Sequence, residues 1–368
     1  MSIVLYRKYR PQVFAEIIGQ DHIVQTLTNS ILANNISHAY LLSGPRGSGK
    51  TTTARVFAKA INCQSRPSGS FEPCNKCNSC LEIMAQKSID LIEIDAASHT
   101  GVDDVRALID GIKFSPVSSK YKIFIVDECH QLSKSAVNAL LKTLEEPPSH
   151  AVFILATTEI HKMIPTIVSR CQRFDFKRLK IAEIIKKLEF ISKKENIKLE
   201  DSALSLIALN SRGSFRDAES LLDECFSFSG STSLIKTEDI KELLGIVEVS
   251  QISKFVELLI SKNTKEAISF LNSMIDSGLD IQEFVKTLIF YLRQCLLLKL
   301  SPDLISSQSS GLSAEEIETM KKQTAVLSEK EIQKMLKIFI EAEGKMKYSA
   351  ILQLSLEMAV VDITCPEI

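Results

Sequence analysis

The sequence predicts an α/β fold followed by an all-α region: a phosphate-loop domain built on a parallel sheet, then helices alone. Three observations predict it. The stretch Gly44-Pro45-Arg46-Gly47-Ser48-Gly49-Lys50-Thr51 fits the pattern G-x-x-x-x-G-K-[ST] at every fixed position. Apolar runs at 91–95, 122–128 and 151–158 alternate with helical patterns near Val102 to Ile112 and Lys134 to Leu144, and such alternation means a parallel sheet covered on both faces. From Leu179 onward the periodicity is helical only. At 368 residues the chain is too long for one ordinary core. The expected division is 1–178 around the phosphate loop, then 179–243, then 244–368.

Taken in order, residues 1–38 carry the basic cluster Arg7-Lys8-Tyr9-Arg10-Pro11, then Gly19-Gln20, then a helical pattern from Asp21 to about Asn34. Asp21 is suited to cap that helix, and the basic cluster by itself reads as a solvated surface, with a contact to the nucleotide's base or to a neighbouring subunit as the alternative. Ala39 to Ser43 is a short apolar strand, and 52–61 is a helix with apolar residues about four apart. Strand, glycine loop and helix are the context a phosphate loop requires. The glycines allow positive φ and close approach, so backbone N–H groups and a helix N-terminus converge on negative charge. Lys50 is expected to reach the β- and γ-phosphates of ATP, and Thr51 to ligate Mg²⁺.

Cys63, Cys74, Cys77 and Cys80 follow in a C-x10-C-x2-C-x2-C arrangement. Two overlapping C-x2-C steps can wrap one tetrahedral Zn²⁺, and four thiolates leave no open ligand position, so the expected zinc site is structural. Such a metal is worth ~10–16 kcal/mol in small modules, enough to order a segment with little apolar core. The remaining cysteines of the nine, at 129, 171, 225, 295 and 365, are scattered and read as buried or incidental thiols.

The run ending in Asp127-Glu128 fits a Walker B element, with Asp127 holding Mg²⁺ and Glu128 orienting or activating the attacking water. Asp-Glu-Cys-His at 127–130 also spells a helicase box. A helicase of that kind needs a second parallel-sheet motor domain, and no such pattern follows residue 180.

One more short alternating strand ends near Phe176. Helical patterns then cover 180–196, 202–210 and 214–228, a Gly-Ser-Thr-Ser break covers 230–233, and a shorter pattern covers 237–244. This region reads as a small helical lid. Beyond it, Ile252, Phe255, Val256, Leu259 and Ile260 form an apolar stripe, repeated by Ile332, Met335, Leu336, Phe339 and Ile340. A serine-rich loop is expected at 301–313.

Composition is that of a soluble globular protein, 45% hydrophobic and 24% charged. A net charge of −1 offers nucleic acid no global attraction, so any DNA contact must be local or made by an assembly. The N-terminus reaches charge too early for a secretory segment, and no later run reaches the roughly 18 uncharged apolar residues of a spanning helix. A cytoplasmic protein without a membrane partner is expected.

The order of phosphate loop, four cysteines, Asp127-Glu128, Ala156-Thr157-Thr158, Ser169-Arg170-Cys171 and Gly213-Ser214-Phe215-Arg216-Asp217-Ala218 resembles the bacterial DNA polymerase III gamma/tau subunits, the clamp-loader AAA+ ATPases. Lys8-Tyr9-Arg10-Pro11, Gly19-Gln20, 91–98 and 138–148 resemble the same family, and the resemblance spans about residues 1–360. It implies an AAA+ domain with a zinc module at 63–80, a lid, and a helical collar through which subunits form a ring. It implies that Thr158 senses the γ-phosphate and that Arg216 reaches the same nucleotide from the lid. Arg170 would act as an arginine finger in a neighbouring subunit's site.

The implied partners are copies of the chain, delta- and delta-prime-type subunits, the sliding clamp and primed-template DNA. ATP hydrolysis within the DNA polymerase III holoenzyme would drive clamp loading. The rival reading of a scaffold subunit without turnover is opposed by the presence of Lys50, Asp127, Glu128 and Arg170. The chain ends at Ile368, before the tail by which the longer tau form would bind the polymerase and the replicative helicase.

Overall fold

A computed structural model describes residues 4–98, 111–112, 114–229, 234–244, 248–301, 314–346, 348–349 and 351–365. Most of the helical pattern beginning at Val102, the break at 230–233 and the serine-rich stretch from Pro302 to Ser313 lie outside them. The chain forms two compact units, Met1–Thr237 and Glu238–Ile368.

The first unit runs α1 (Leu5–Lys8), α2 (Asp21–Leu32), β1 (Ala39–Ser43), α3 (Lys50–Ile61), α4 (Asn78–Met84), β2 (Leu91–Asp95), β3 (Lys122–Asp127), α5 (Lys134–Glu145), β4 (Ala151–Thr157), α6 (Pro165–Val168) and β5 (Gln172–Asp175). The strands make one parallel sheet in the order β2-β3-β4-β1-β5. The central strands β1, β3 and β4 are the unbroken apolar runs, because helices cover both of their faces. Period-two alternation sorts their side chains between two cores. Tyr40, Leu42, Ile123, Ile125, Val152 and Ile154 meet Phe57 and Ile61 of α3 and Ile23 and Leu27 of α2. Leu41, Phe124, Val126, Phe153 and Leu155 meet Leu140 and Leu144 of α5. The Phe124 and Phe153 rings stack across β3 and β4 with centroids 5.4 Å apart.

Because β1 lies between β4 and β5, the chain reverses its direction of sheet growth beside β1. In an open parallel sheet the ligand crevice forms at such a switch point, beyond the carboxyl ends of the strands. The phosphate loop leaves β1 there.

Two helix starts differ from expectation. Helix α3 begins at Lys50, not at residue 52, since Gly49 at φ 99° turns the chain directly into the first turn. Gln20 and not Asp21 holds the cap position of α2, and its side chain makes no cap bond because it is committed elsewhere.

Three further helices complete this unit, α7 (Ile181–Glu195), α8 (Asp201–Asn210) and α9 (Phe215–Ser229), within a residue of the expected bounds. They bury Ile184, Leu188 and Ile191 of α7 with Ala203, Ile207, Ala218 and Leu222. The boundary with the second unit falls at the first residue of α10 (Thr237–Leu243).

The second unit continues with α11 (Val249–Ile260), α12 (Thr264–Asp276), α13 (Ile281–Leu300), α14 (Ala314–Val326), α15 (Glu329–Met346) and α16 (Leu352–Thr364). Ile252, Phe255, Val256 and Leu259 are buried as the stripe predicts, as are Ile332, Met335 and Phe339, but Ile340 is exposed. Its core holds one polar chain: Tyr291 Oη donates to Gln323 Oε1 at 2.7 Å, and Gln323 Nε2 donates to Ser253 O at 2.8 Å. Every member has a partner, so the buried polar groups specify packing without a desolvation penalty left over. Among the described residues no helix is long and apolar enough to cross a membrane.

Candidate nucleotide site and cysteine cluster

The phosphate loop is folded around its own lysine. Lys50 Nζ donates to Gly44 O at 2.8 Å and Pro45 O at 2.9 Å. Burial lowers its pKa, while the carboxylates of Glu128 and Asp127 pull it back. Gly47 has φ 73°, and a Cβ there would stand 1.8 Å from Ser214 Oγ, so only glycine fits.

At the end of β3, Asp127 Oδ2 accepts a 2.6 Å hydrogen bond from Thr51 Oγ1. Glu128 sits in a left-handed conformation, φ 46°, which turns its carboxylate toward β4. There Glu128 Oε2 accepts from Thr158 Oγ1 at 2.8 Å and from Thr158 N at 3.2 Å. The hydroxyl and carboxylate suited to a metal are therefore adjacent, and so are the carboxylate suited to a water and the hydroxyl suited to a phosphate. His130, the last letter of the helicase-like box, pairs with Thr157 Oγ1 at 3.0 Å.

Helix α9 closes over this loop. Phe215 N donates to Gly47 O at 3.2 Å, and Ser214 Oγ accepts from Asp217 N at 3.2 Å as the helix begins. Arg216 follows, and its guanidinium lies 5.1 Å from the centre of the Tyr6 ring, a cation–π contact. One pocket gathers the loop, Thr51, Asp127, Glu128, Arg216 and the N-terminal Tyr6, Arg10 and Pro11, with about 1010 Å³ of space that includes open solvent.

The basic cluster is thus not uniformly a solvated surface. Arg7 and Lys8 are exposed, but Arg10 is half-buried in the pocket and its pKa is lowered, chiefly by burial. Gln20 belongs to the Gly19-Gln20 pair of the resemblance, but the sequence assigns it no role. Fully buried, it donates to Lys177 O at 2.9 Å and to Ser48 O at 3.4 Å, and accepts from Lys177 N at 3.2 Å. It ties the phosphate loop to the segment that follows β5. Apart from that resemblance, the sequence signal is a polar residue beside a glycine at a helix start.

Arg170 stands apart. It does not line the pocket; its guanidinium pairs with Glu145 at 2.8 Å and donates to Thr166 O at 2.9 Å, with 34% of its side chain exposed. Lys50, Thr51, Asp127, Glu128 and Arg216 meet in one place, Thr158 joins through Glu128, and Arg170 faces elsewhere.

The four cysteines converge where the loop after α3 enters α4, with Cys77 at the cap of α4 and Cys80 within it. Their Sγ atoms all lie within 4.8 Å of one another, against about 3.8 Å between sulfurs in a tetrahedral site with Zn–S near 2.3 Å. Cys74 Sγ accepts from Lys76 N at 3.4 Å and Cys77 N at 3.3 Å, and with the Lys76 bond first among the causes its pKa falls to about 6. Backbone donors that favour a thiolate, in a closed set of four sulfurs, fit a structural zinc ion. Of the other cysteines, 129, 225 and 295 are buried, 171 is half-buried and 365 is exposed.

The DNA polymerase III subunit gamma of Buchnera aphidicola subsp. Acyrthosiphon pisum is 35% identical over 366 residues, covering 98% of both chains. This chain belongs to the DNA polymerase III gamma/tau family. Family models agree along its length: DNA polymerase III, delta subunit, at 19–180; the clamp loader subunit's ATPase lid domain at 183–231; and subunits gamma and tau domain III at 235–365. The DNA polymerase III subunit tau of Bacillus subtilis is 43% identical over 360 residues, 98% of this chain and 62% of that one. For the tau subunit of Escherichia coli the figures are 38% over 309 residues, 84% and 47%. The chain thus spans about half to three-fifths of the length of these tau relatives.

Proposed function

We propose that this chain is an ATP-hydrolysing AAA+ subunit of a bacterial clamp loader, acting in the cytoplasm as part of the DNA polymerase III holoenzyme. Residues 1–178 would bind ATP, 179–243 would be the lid and 244–368 the collar of a ring formed with copies of the chain and with delta- and delta-prime-type subunits. ATP binding opens the sliding clamp and holds it at primed-template DNA, and hydrolysis releases both.

The observation that carries this reading is the pair of bonds at the ends of β3 and β4, Thr51 to Asp127 and Thr158 to Glu128. Thr51 and Asp127 would hold Mg²⁺, which supplies charge neutralisation at the phosphates. Glu128 orients the attacking water, and its bond to Thr158 makes water activation responsive to whatever group Thr158 touches. Lys50 exchanges its two loop carbonyls for phosphate oxygens. Arg216 approaches from the lid, and Arg170 acts in a neighbour's pocket, in keeping with its distance from its own. The cysteines would carry one structural zinc ion. The helicase reading has no second sheet to rest on, since the described residues form a single five-stranded one.

The test is ATP hydrolysis by the reconstituted loader, with and without clamp and primed DNA. Both additions should stimulate turnover, and Lys50→Ala should lower it by at least about 10²-fold while leaving the fold intact. Turnover indifferent to clamp and DNA, or unchanged by Lys50→Ala, would overturn the reading.

A further inference from the structure

Among the carboxylates of the pocket, Glu219 stands apart from Asp127 and Glu128, which are bonded to Thr51 and Thr158. It lines the same pocket from helix α9, one turn beyond Arg216, and is only 6% exposed. Its carboxyl has neither a hydrogen bond nor an ion pair within 4.0 Å among the described residues. The opposite charges acting on it are Lys187 and Arg10, but Lys187 Nζ is already donating to Tyr9 O at 3.0 Å. Burial raises the Glu219 pKa to about 7, with Lys187 and Arg10 drawing it down. A carboxyl that faces pocket space without a donor from the protein is placed to accept a hydrogen bond from an arriving ligand.

The chemistry of that ligand follows from what a carboxyl needs. The triphosphate offers no hydrogen-bond donor and repels a carboxylate, so it cannot be the partner. The nucleoside half offers donors in the ribose hydroxyls and the exocyclic amino group of adenine. Pro11, Ile17, Ile18 and Phe215 line the same pocket and supply apolar surface for a purine face.

We propose that Glu219 accepts a hydrogen bond from the nucleoside half of bound ATP, from a ribose hydroxyl or from the adenine amino group. The pocket then reads the phosphates with the loop and the nucleoside with the lid helix. One helix carries both Arg216 and Glu219, so recognition of the nucleoside sets the position from which Arg216 meets the phosphates. This inference rests on the ATP-binding reading above.

The experiment is calorimetric titration of the full chain with ATP, 2′-deoxyATP, 3′-deoxyATP and purine riboside triphosphate, which lacks the amino group. The wild type should bind at least one analogue about 10-fold more weakly than ATP, and the analogue affected identifies the donor. Glu219→Leu should weaken ATP binding to the level of that analogue and abolish the discrimination, whereas Glu219→Gln, which keeps an acceptor oxygen, should retain part of it. A carboxyl that merely packs would alter thermal stability and leave the discrimination untouched, which would overturn the proposal. Equal binding of ATP and all three analogues by the wild type would overturn it without any variant. Failure of the wild type to bind ATP at all would overturn the proposed function as well, so the two failures are distinguishable.

Discussion

The nucleotide pocket and the cysteine cluster lie close together in one compact unit, yet they are held in opposite ways. Around the phosphate loop most polar groups are paired: Lys50 with loop carbonyls, Thr51 with Asp127, Glu128 with Thr158, Gln20 with Lys177. Beneath them lie two apolar cores built on strands buried from end to end. The cysteine loop has less of both, chiefly the bonds of Glu72 to Phe14 N and Ala15 N and the packing of Phe71 on Phe14. Between Ile61 and Asn78 no helix or strand forms, and the four converging sulfurs belong to one buried and three half-buried cysteines. The difference teaches that the pocket is a property of the fold, whereas the order of the loop would come from a metal that its four converging sulfurs fit.

The largest expected effect would break that contrast if it failed. Removal of the metal with a chelator, or Cys77→Ser, should take metal content from one zinc per chain to none and withdraw ~10–16 kcal/mol of local ordering. Hydrogen exchange at residues 62–84 should become fast while amides of β3 and β4 keep their protection. Unchanged protection at 62–84 would mean that thiol packing alone holds the loop.

Next in size is Arg170→Ala, which sharpens the contrast from the other side. In the proposed function a neighbour's arginine completes the pocket, and Arg170 here pairs with Glu145 outside its own pocket. The variant should bind ATP as the wild type does and melt within a few degrees of it, because a surface ion pair is worth little. Turnover of the assembled loader should fall by ~10³–10⁵. An equal loss of ATP binding by the isolated chain would place Arg170 in its own site and not a neighbour's.

Much of this was legible in the sequence, for reasons that differ by element. The phosphate loop, Asp127-Glu128 and the cysteines are local patterns, in which chemistry fixes both residue type and spacing. The central strands were legible because burial on both faces leaves an unbroken apolar run. Gln20, Arg10 and Glu219 were not, because their roles depend on chain segments far away in sequence: Gln20 meets Lys177, and Tyr9 beside Arg10 meets Glu195 and Lys187. No periodicity encodes such meetings. Arg7 to Pro11 looked like a solvated charge cluster for the same reason, since nothing local announces that the lid packs against it.

The smallest effect concerns a connection between the two regions made by Glu72. Glu72, on the cysteine loop, accepts from Phe14 N at 2.8 Å and Ala15 N at 2.9 Å, just before Ile17 and Ile18 enter the pocket lining. Phe71 adds an edge contact to Phe14, with ring centroids 6.3 Å apart. Glu72→Gln keeps the shape but offers only one carbonyl oxygen to two N–H donors, and its amide nitrogen then faces a donor. Losing one charge-assisted bond there should destabilise the N-terminal segment by about 1.5–3 kcal/mol. Zinc should stay at one per chain, amide exchange at Phe14 and Ala15 should accelerate, and ATP affinity should fall by about 3- to 10-fold as Ile17 and Ile18 lose their anchor. If exchange accelerates while ATP affinity holds, the metal loop only braces the fold. If both change together, the zinc module helps to shape the nucleotide pocket without touching it.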